Sequence, residues 1–350
     1  MQTTTLSHPH PCPPAPGCTL EVAPGVHWLR LALPWSLDHI NLWLLEDGAG
    51  LCLVDTGLGD EPTRTQLDQV FAARTCPLGR IIATHYHPDH LGNAEWLAQR
   101  SGAEVWMATG EYLLAQALFH QTPGHDVAAM LAHFRLHGLD EVRLERLAAR
   151  GNVFRRGVPT LPAHYNRLAD GDVITIGGRR WRCIVGYGHS PEHIALYCDE
   201  ARLLISGDML LPRITTNVAV PASSPNEDAV GRFLASIDRF ADLPADTLVL
   251  PAHGLPFVGV HARIGQLHAH HQERDATMQT ALEQACCAAD LLSTLFRREL
   301  DPHQVMFAMS ETIAHLNHLW QNGGARRFDD HGRLRFQACQ NALPPPTPLA

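Results

Sequence analysis

Along the first part of the chain, short apolar runs end repeatedly in a polar residue or a glycine. They are Leu42–Leu45, Leu51–Val54 leading into Asp55-Thr56-Gly57, Arg80–Ala83 leading into Thr84-His85, and Val105–Ala108. Continuous apolar runs bounded by Gly, Asp or Pro predict strands covered on both faces, because a half-exposed strand would alternate polar and apolar positions. Helical spacing lies between them, at Glu61–Arg74 and Ala94–Arg100. Strands alternating with helices place the chain in the α/β class. Residues 111–150 then repeat apolar positions at helical intervals (Leu113, Leu114, Ala117, Leu118; Met130, Leu131, Phe134), which predicts a helical insertion over 111–168. Such an insertion is long enough to fold over a site as a lid, with His164 and Tyr165 as its candidate contacts.

Strands resume at Asp170–Ile176 and Arg179–Val185, flanking Gly177-Gly178, a pair suited to the positive φ angles of a tight hairpin turn. Ile194–Cys198, Leu203–Ile205 and Thr247–Leu250 follow. From Ile264 the pattern is helical (Ile264–Ala288, Asp290–Arg298, Pro302–Gln321), ending in a β-like stretch, Arg326–Gln337, that turns at Asp330–Gly332. The expected organisation is a disordered leader (1–18), an α/β domain (19–262), a C-terminal helical appendage with a hairpin (263–340) and a disordered proline-rich tail (341–350).

Composition narrows the chemistry. All 27 basic residues are arginine. Without lysine there is no Schiff base, no phosphate-binding loop ending in Gly-Lys, and no lysine general base. A net charge of -9 gives no footprint for non-specific nucleic-acid binding. The nine cysteines are scattered without Cys-x-x-Cys pairs and read as reduced thiols, which points to the cytoplasm. The leader has neither a basic start nor an apolar core, so no signal peptide is expected, and no run reaches the ~18 apolar residues of a membrane span. The 23 histidines matter by placement, not by number.

The strongest placement is His85-Tyr86-His87-Pro88-Asp89-His90, directly after an apolar run. In an extended segment His85 and His87 project to one side, and Asp89 and His90 follow where the chain turns into a helix. His189 follows Gly186-Tyr187-Gly188, Asp208 follows Ser206-Gly207, and His253 follows Pro251-Ala252, each just past a strand. Open α/β sheets place ligands at such strand ends.

With Asp55-Thr56-Gly57 upstream, these motifs resemble, in order, those of the metallo-β-lactamase-fold hydrolases over about residues 26 to 262; the C-terminal helices resemble the winged-helix-like tail of one subgroup. The resemblance implies an αββα sandwich with a dinuclear metal site. His85, His87 and His189 would hold one ion, Asp89, His90 and His253 the other, and Asp208 would bridge. Asp55 would orient a ligand. Zinc suits this donor set; iron and manganese also accept it. Two cations roughly 3.5–4 Å apart lower the pKa of a shared water toward ~7, so no protein nucleophile is needed, and Asp89 would orient that water or pass a proton.

The resemblance to bridging-aspartate branches points to a small ester-like substrate: a thioester, a lactone or an ester. A metal-dependent ribonuclease is the alternative, on the winged-helix-like tail and the pairs Arg155-Arg156, Arg179-Arg180, Arg297-Arg298 and Arg326-Arg327. An iron-dependent persulfide dioxygenase and a non-catalytic binding protein rank lower. Arg213 and Asn217, in the loop leaving Asp208, are candidate substrate contacts; His193, four residues after His189, either joins them at the pocket rim or donates a hydrogen bond from behind the ligands, the structural role being the favoured one. His315 and His318, spaced i, i+3, lack a further ligand, and His268, His270 and His271 read as a solvated helix face. A small-molecule partner is expected, without a membrane, and with a homo-oligomer as an open option.

Overall fold

A computed structural model of the protein describes residues 5–296 and 299–339. The expected tail 341–350 and the pair Arg297-Arg298 lie outside the described residues. The strands of the first sheet, in chain and spatial order, are β1 (Thr19–Ala23), β2 (Val26–Ala32), β3 (His39–Asp47), β4 (Gly50–Val54), β5 (Leu78–Ile82), β6 (Glu104–Ala108) and β7 (Asn166–Leu168). The second sheet contains β8 (Val173–Ile176), β9 (Arg179–Gly186), β10 (His193–Cys198), β11 (Leu203–Gly207), β12 (Leu248–Pro251) and β13 (Phe257–Val258), again in neighbour order. The helices are α1 (Glu61–Ala72), α2 (Pro88–Leu91), α3 (Ala94–Ser101), α4 (Thr109–His120), α5 (Val127–Leu136), α6 (Glu141–Ala148), α7 (Val153–Gly157), α8 (Ala229–Asp238), α9 (Val260–Ala281), α10 (Leu292–Leu295) and α11 (Pro302–Gln321). A separate hairpin joins β14 (Ala325–Asp330) to β15 (Arg333–Ala338).

The chain divides into two compact units. Of the described residues, the first comprises those within 5–120, 152–216 and 235–266; the second comprises those within 121–151, 217–234 and 267–339. In the first unit the period-2 geometry of strands explains the continuous apolar runs. On β3 and β4, Trp43, Leu45, Cys52 and Val54 point between the sheets, where they meet Trp181, Cys183, Ile194 and Leu196. Leu42, Leu44, Leu51 and Leu53 point the other way, onto Leu67 and Val70 of α1 and Leu97 of α3. Both faces are therefore apolar, as a sandwich with helical outer layers requires.

Two expectations change here. The span 111–168 is not one insertion: α4 and α7 belong to the first unit, β7 pairs parallel with β6, and only 121–151 joins the second unit. Tyr165 stacks on Tyr112 within the first unit, with ring centroids 4.2 Å apart. The leader is placed from residue 5 onward, with Ser7 exchanging two backbone hydrogen bonds with Val258 of β13.

In the second unit, α11 starts where its sequence predicts, because Asp301 and Gln304 form a capping box around Pro302. The solvated face expected of His268, His270 and His271 on α9 does not hold for His271. His271 of α9 is buried and its Nδ1 lies 3.3 Å from His315 Nε2, whose Nδ1 in turn meets Asp275 at 2.7 Å. His318 meets Asp228 at 2.8 Å. No helix among the described residues is long and apolar enough to cross a membrane.

Candidate metal centre

The site forms at the strand ends of the first unit. His85 and His87 follow β5, Asp89 and His90 fall in α2, His189 follows β9, Asp208 follows β11 and His253 follows β12. His85 and His87 aim at one point through a bend, not along an extended strand, with His85 Nε2 2.8 Å from His87 Nδ1. His189 Nε2 lies 3.1 Å from His85 Nε2 and 3.4 Å from Asp208 Oδ2. The other carboxylate oxygen faces a second cluster. Asp208 Oδ1 is 3.3 Å from His253 Nε2 and 3.6 Å from His90 Nε2, while Asp89 Oδ2 is 3.5 Å and 3.8 Å from the same two nitrogens. Within each set, His85, His87, His189 and Asp208, or Asp89, His90 and His253, the ligand atoms all lie within 4.8 Å of one another.

These residues suit divalent cations. Donors about 2.1 Å from a tetrahedral zinc stand about 3.4 Å apart, the spacing seen here. His90 Nε2 and Asp208 Oδ1 are buried without a hydrogen-bond partner among the described residues, and both aim into the second cluster. Charge tells the same story. Burial, then the neighbouring imidazoles, hold His85 well below its usual value; burial does the same to His87. Burial also works against charging His90, but Asp55, Asp89 and Asp208 outweigh it and push the ring up to about 10. The second cluster is thus a carboxylate-rich pocket that demands a positive charge.

The outer contacts fix these rings. Asp55 Oδ2 takes His90 Nδ1 at 2.8 Å, and its Oδ1 accepts from the Thr84 backbone N–H at 2.8 Å. The Thr84 hydroxyl sits 3.0 Å from His85 Nδ1 and 3.2 Å from His90 Nδ1, linking a ring of each cluster. Asp55 itself has φ 63°, a left-handed conformation that bends the chain toward these partners. His253 Nδ1 donates to the His39 carbonyl at 2.7 Å. Buried Asn41 accepts from Trp28 and donates to the carbonyls of Pro251 and Gly254, pinning the His253 loop from both sides. Arg30 reinforces that loop at the Gly254 carbonyl.

Glu111, fully buried at the start of α4, accepts from Tyr86 N–H, Ser190 O–H and Glu192 N–H. Burial pushes its carboxyl up to about 7 against the pull of those donors. Arg263 donates to the carbonyls of Leu211 and Ile214, and Thr216 donates to the Asp208 carbonyl, so the loop leaving Asp208 is held on its inner side.

The seven expected ligands and Asp55 come together in one place. His193 does not line an opening: it is fully buried and its Nε2 accepts the Asp208 backbone N–H at 3.1 Å, so the expectation of a substrate contact is corrected to support beneath Asp208. Arg213 is exposed and Asn217 half-buried. Sequence reasoning missed Glu111, Asn41, Thr84 and Arg263. Asn41 carried a signal, as a polar residue inside an apolar run; Glu111 carried none.

The Metallo-beta-lactamase superfamily pattern matches residues 35–253, and the Metallo-beta-lactamase-like C-terminal domain matches residues 275–339. The chain belongs to this superfamily, most of whose members are metal-dependent hydrolases. A crystal structure of a beta-lactamase domain protein from Burkholderia ambifaria is 43% identical, with a TM-score of 0.89 over 95% of this chain and 98% of that one. A linear primary-alkylsulfatase from a Pseudomonas strain is 28% identical over 62% of this chain but only 42% of its own length. A hydroxyacylglutathione hydrolase from Rhodobacter capsulatus is 27% identical over 67% of this chain and 66% of its own.

Proposed function

We propose that the chain hydrolyses a small ester-like substrate, with a thioester as the first choice ahead of a lactone or simple ester, at a centre of two divalent cations. The observation that carries this reading is the division of Asp208, whose two oxygens face two separate donor sets. In this reading His85, His87 and His189 would hold one cation and Asp89, His90 and His253 the other, with Asp208 facing both sets. When bound, the cations supply an acidified water and a Lewis acid for the developing oxyanion. The protein's own part is orientation. Asp89 reaches His253 and His90 through Oδ2, which leaves its second oxygen to steer the water or carry a proton to the leaving group. Arg213 and Asn217 remain the proposed substrate contacts.

The similarity to a hydroxyacylglutathione hydrolase supports a thioester. The similarity to an alkylsulfatase favours a second reading, with a sulfate ester as the substrate. A single-metal oxidative chemistry would leave the complete second set without a purpose. Zinc is the first choice of metal, with iron and manganese as alternatives, and the location is proposed to be cytoplasmic. The test is turnover of thioester, lactone, carboxylic-ester and alkyl-sulfate panels, beside labelled single-stranded RNA, by zinc-, iron- and manganese-loaded protein. Chelator-sensitive thioester turnover supports the reading; RNA cleavage without ester turnover overturns it.

A further inference from the structure

Glu111 opens the first turn of α4, where a carboxylate is ordinarily solvated. Here it is fully buried, and its carboxylate accepts hydrogen bonds from the two loops that carry His85, His87 and His189. Oε2 accepts the backbone N–H of Tyr86, the residue between His85 and His87, at 2.9 Å. Oε1 accepts the Ser190 hydroxyl at 2.7 Å and the Glu192 N–H at 2.6 Å, just beyond His189. His85 and His189 are 104 positions apart in sequence, yet this one side chain joins their loops. Glu192 closes the ring, since its Oε2 accepts the Gly110 N–H at 2.6 Å beside Glu111. The Asp89, His90 and His253 cluster has its own supports, Asp55 on His90 and the His39 carbonyl and Asn41 at the His253 loop, while Thr84 touches a ring of each cluster.

We propose that Glu111 is a positioning residue for one of the two metal positions, that of His85, His87 and His189, and that it sets the affinity of that position by fixing the distance between the two loops. This rests on the dinuclear reading above. A carboxylate is suited to the task because both its oxygens accept. An amide would turn its NH2 toward either Tyr86 or the Ser190 and Glu192 pair and keep only one side of the bridge. An alanine would take the acceptor from three donors, the buried Ser190 hydroxyl and the half-buried N–H groups of Tyr86 and Glu192.

The test is Co2+ binding, by calorimetry and by visible absorption, in two backgrounds. In His253→Ala the His85, His87 and His189 position keeps all its imidazoles; in His87→Ala the other position does. Adding Glu111→Ala is expected to weaken Co2+ binding 10- to 100-fold in the first background, the usual cost of losing a residue that orients metal ligands, and by less than twofold in the second. Glu111→Gln is expected to restore part of the loss. Equal weakening in both backgrounds, or none in either, overturns the proposal. If Glu111→Ala fails to fold by circular dichroism, Glu111→Gln in the same two backgrounds decides, with a smaller difference of the same sense expected and equal effects overturning it. Fewer than two equivalents of Co2+ on the otherwise unaltered protein would instead overturn the dinuclear reading, and this inference with it.

Discussion

The backbone N–H of Asp208 donates to Nε2 of His193 across 3.1 Å, so the residue that divides its carboxylate between two donor sets is held from beneath by a neutral imidazole. Burial keeps that ring well below its usual pKa, which is what an accepting Nε2 requires. Replacing His193 by Ala leaves the Asp208 N–H unpaired and opens space under it. A loss of roughly 1–3 kcal/mol of stability is expected, with KM scarcely altered. Thermal denaturation and steady-state kinetics check this together. An undiminished melting temperature with a raised KM would return His193 to the rim of a substrate pocket.

Gly207 adjoins the same pair. Its φ is 50°, and an added Cβ would stand 2.4 Å from His193 Nε2. Gly178, at φ 74° in the β8–β9 turn, has nothing within 4 Å of such a Cβ. Both Ala variants carry the left-handed strain of about 1–3 kcal/mol, but only Gly207→Ala adds a clash inside the centre. Gly207→Ala is therefore expected to lose more stability than Gly178→Ala and to lose bound metal as well. Denaturation midpoints with elemental analysis of both variants measure the difference.

Metal uptake should depend on pH differently at the two positions. His85 and His87 are held neutral by burial, so their position takes a cation without displacing protons from those rings near neutral pH. Without a cation, His90 is pushed up to about 10, despite burial, by its three carboxylates. Burial likewise opposes protonation of His253, but Asp208 raises it. Below about pH 10, a cation at that position must therefore expel a proton from His90, and its affinity rises with pH. Calorimetry in buffers of different ionisation enthalpy is expected to find proton release in the Asp89, His90 and His253 step and little in the other.

The ligands were legible because they sit close in sequence or directly past apolar runs: four within His85 to His90, then His189, Asp208 and His253 after their strands. The supports were not. Glu111, Asn41 and Arg263 act on loops far away in the chain, and a single glutamate in a helix's first turn looks the same whether it is solvated or buried under three donors. The insertion was misjudged because helical spacing in 111–150 masked the short strand β7, only three residues long. His271 was misread because α9 is rich in polar residues; what buries it, Phe233 and His315, comes from other segments.

In the second unit, His318 and Asp228 form an ion pair at 2.8 Å. Burial lowers the His318 pKa, but Asp228 and Asp275 outweigh it and leave it raised above 6.5. Burial raises that of Asp228, but His318 outweighs it and leaves it below 3.8. A raised histidine contributes its full stabilisation below 6.5 and loses it as pH rises through its folded value; a lowered aspartate loses its contribution only as pH falls below 3.8. His318→Ala should therefore cost more stability at pH 5.5 than at pH 9, as read by denaturant midpoints at the two values.

The division of Asp208 between two donor sets is tested most directly by counting metal. Elemental analysis of the zinc-loaded protein is expected to give two equivalents, and of the Asp208→Ala variant one equivalent or less, with turnover abolished. Two retained equivalents and unchanged turnover in that variant would contradict the dinuclear account.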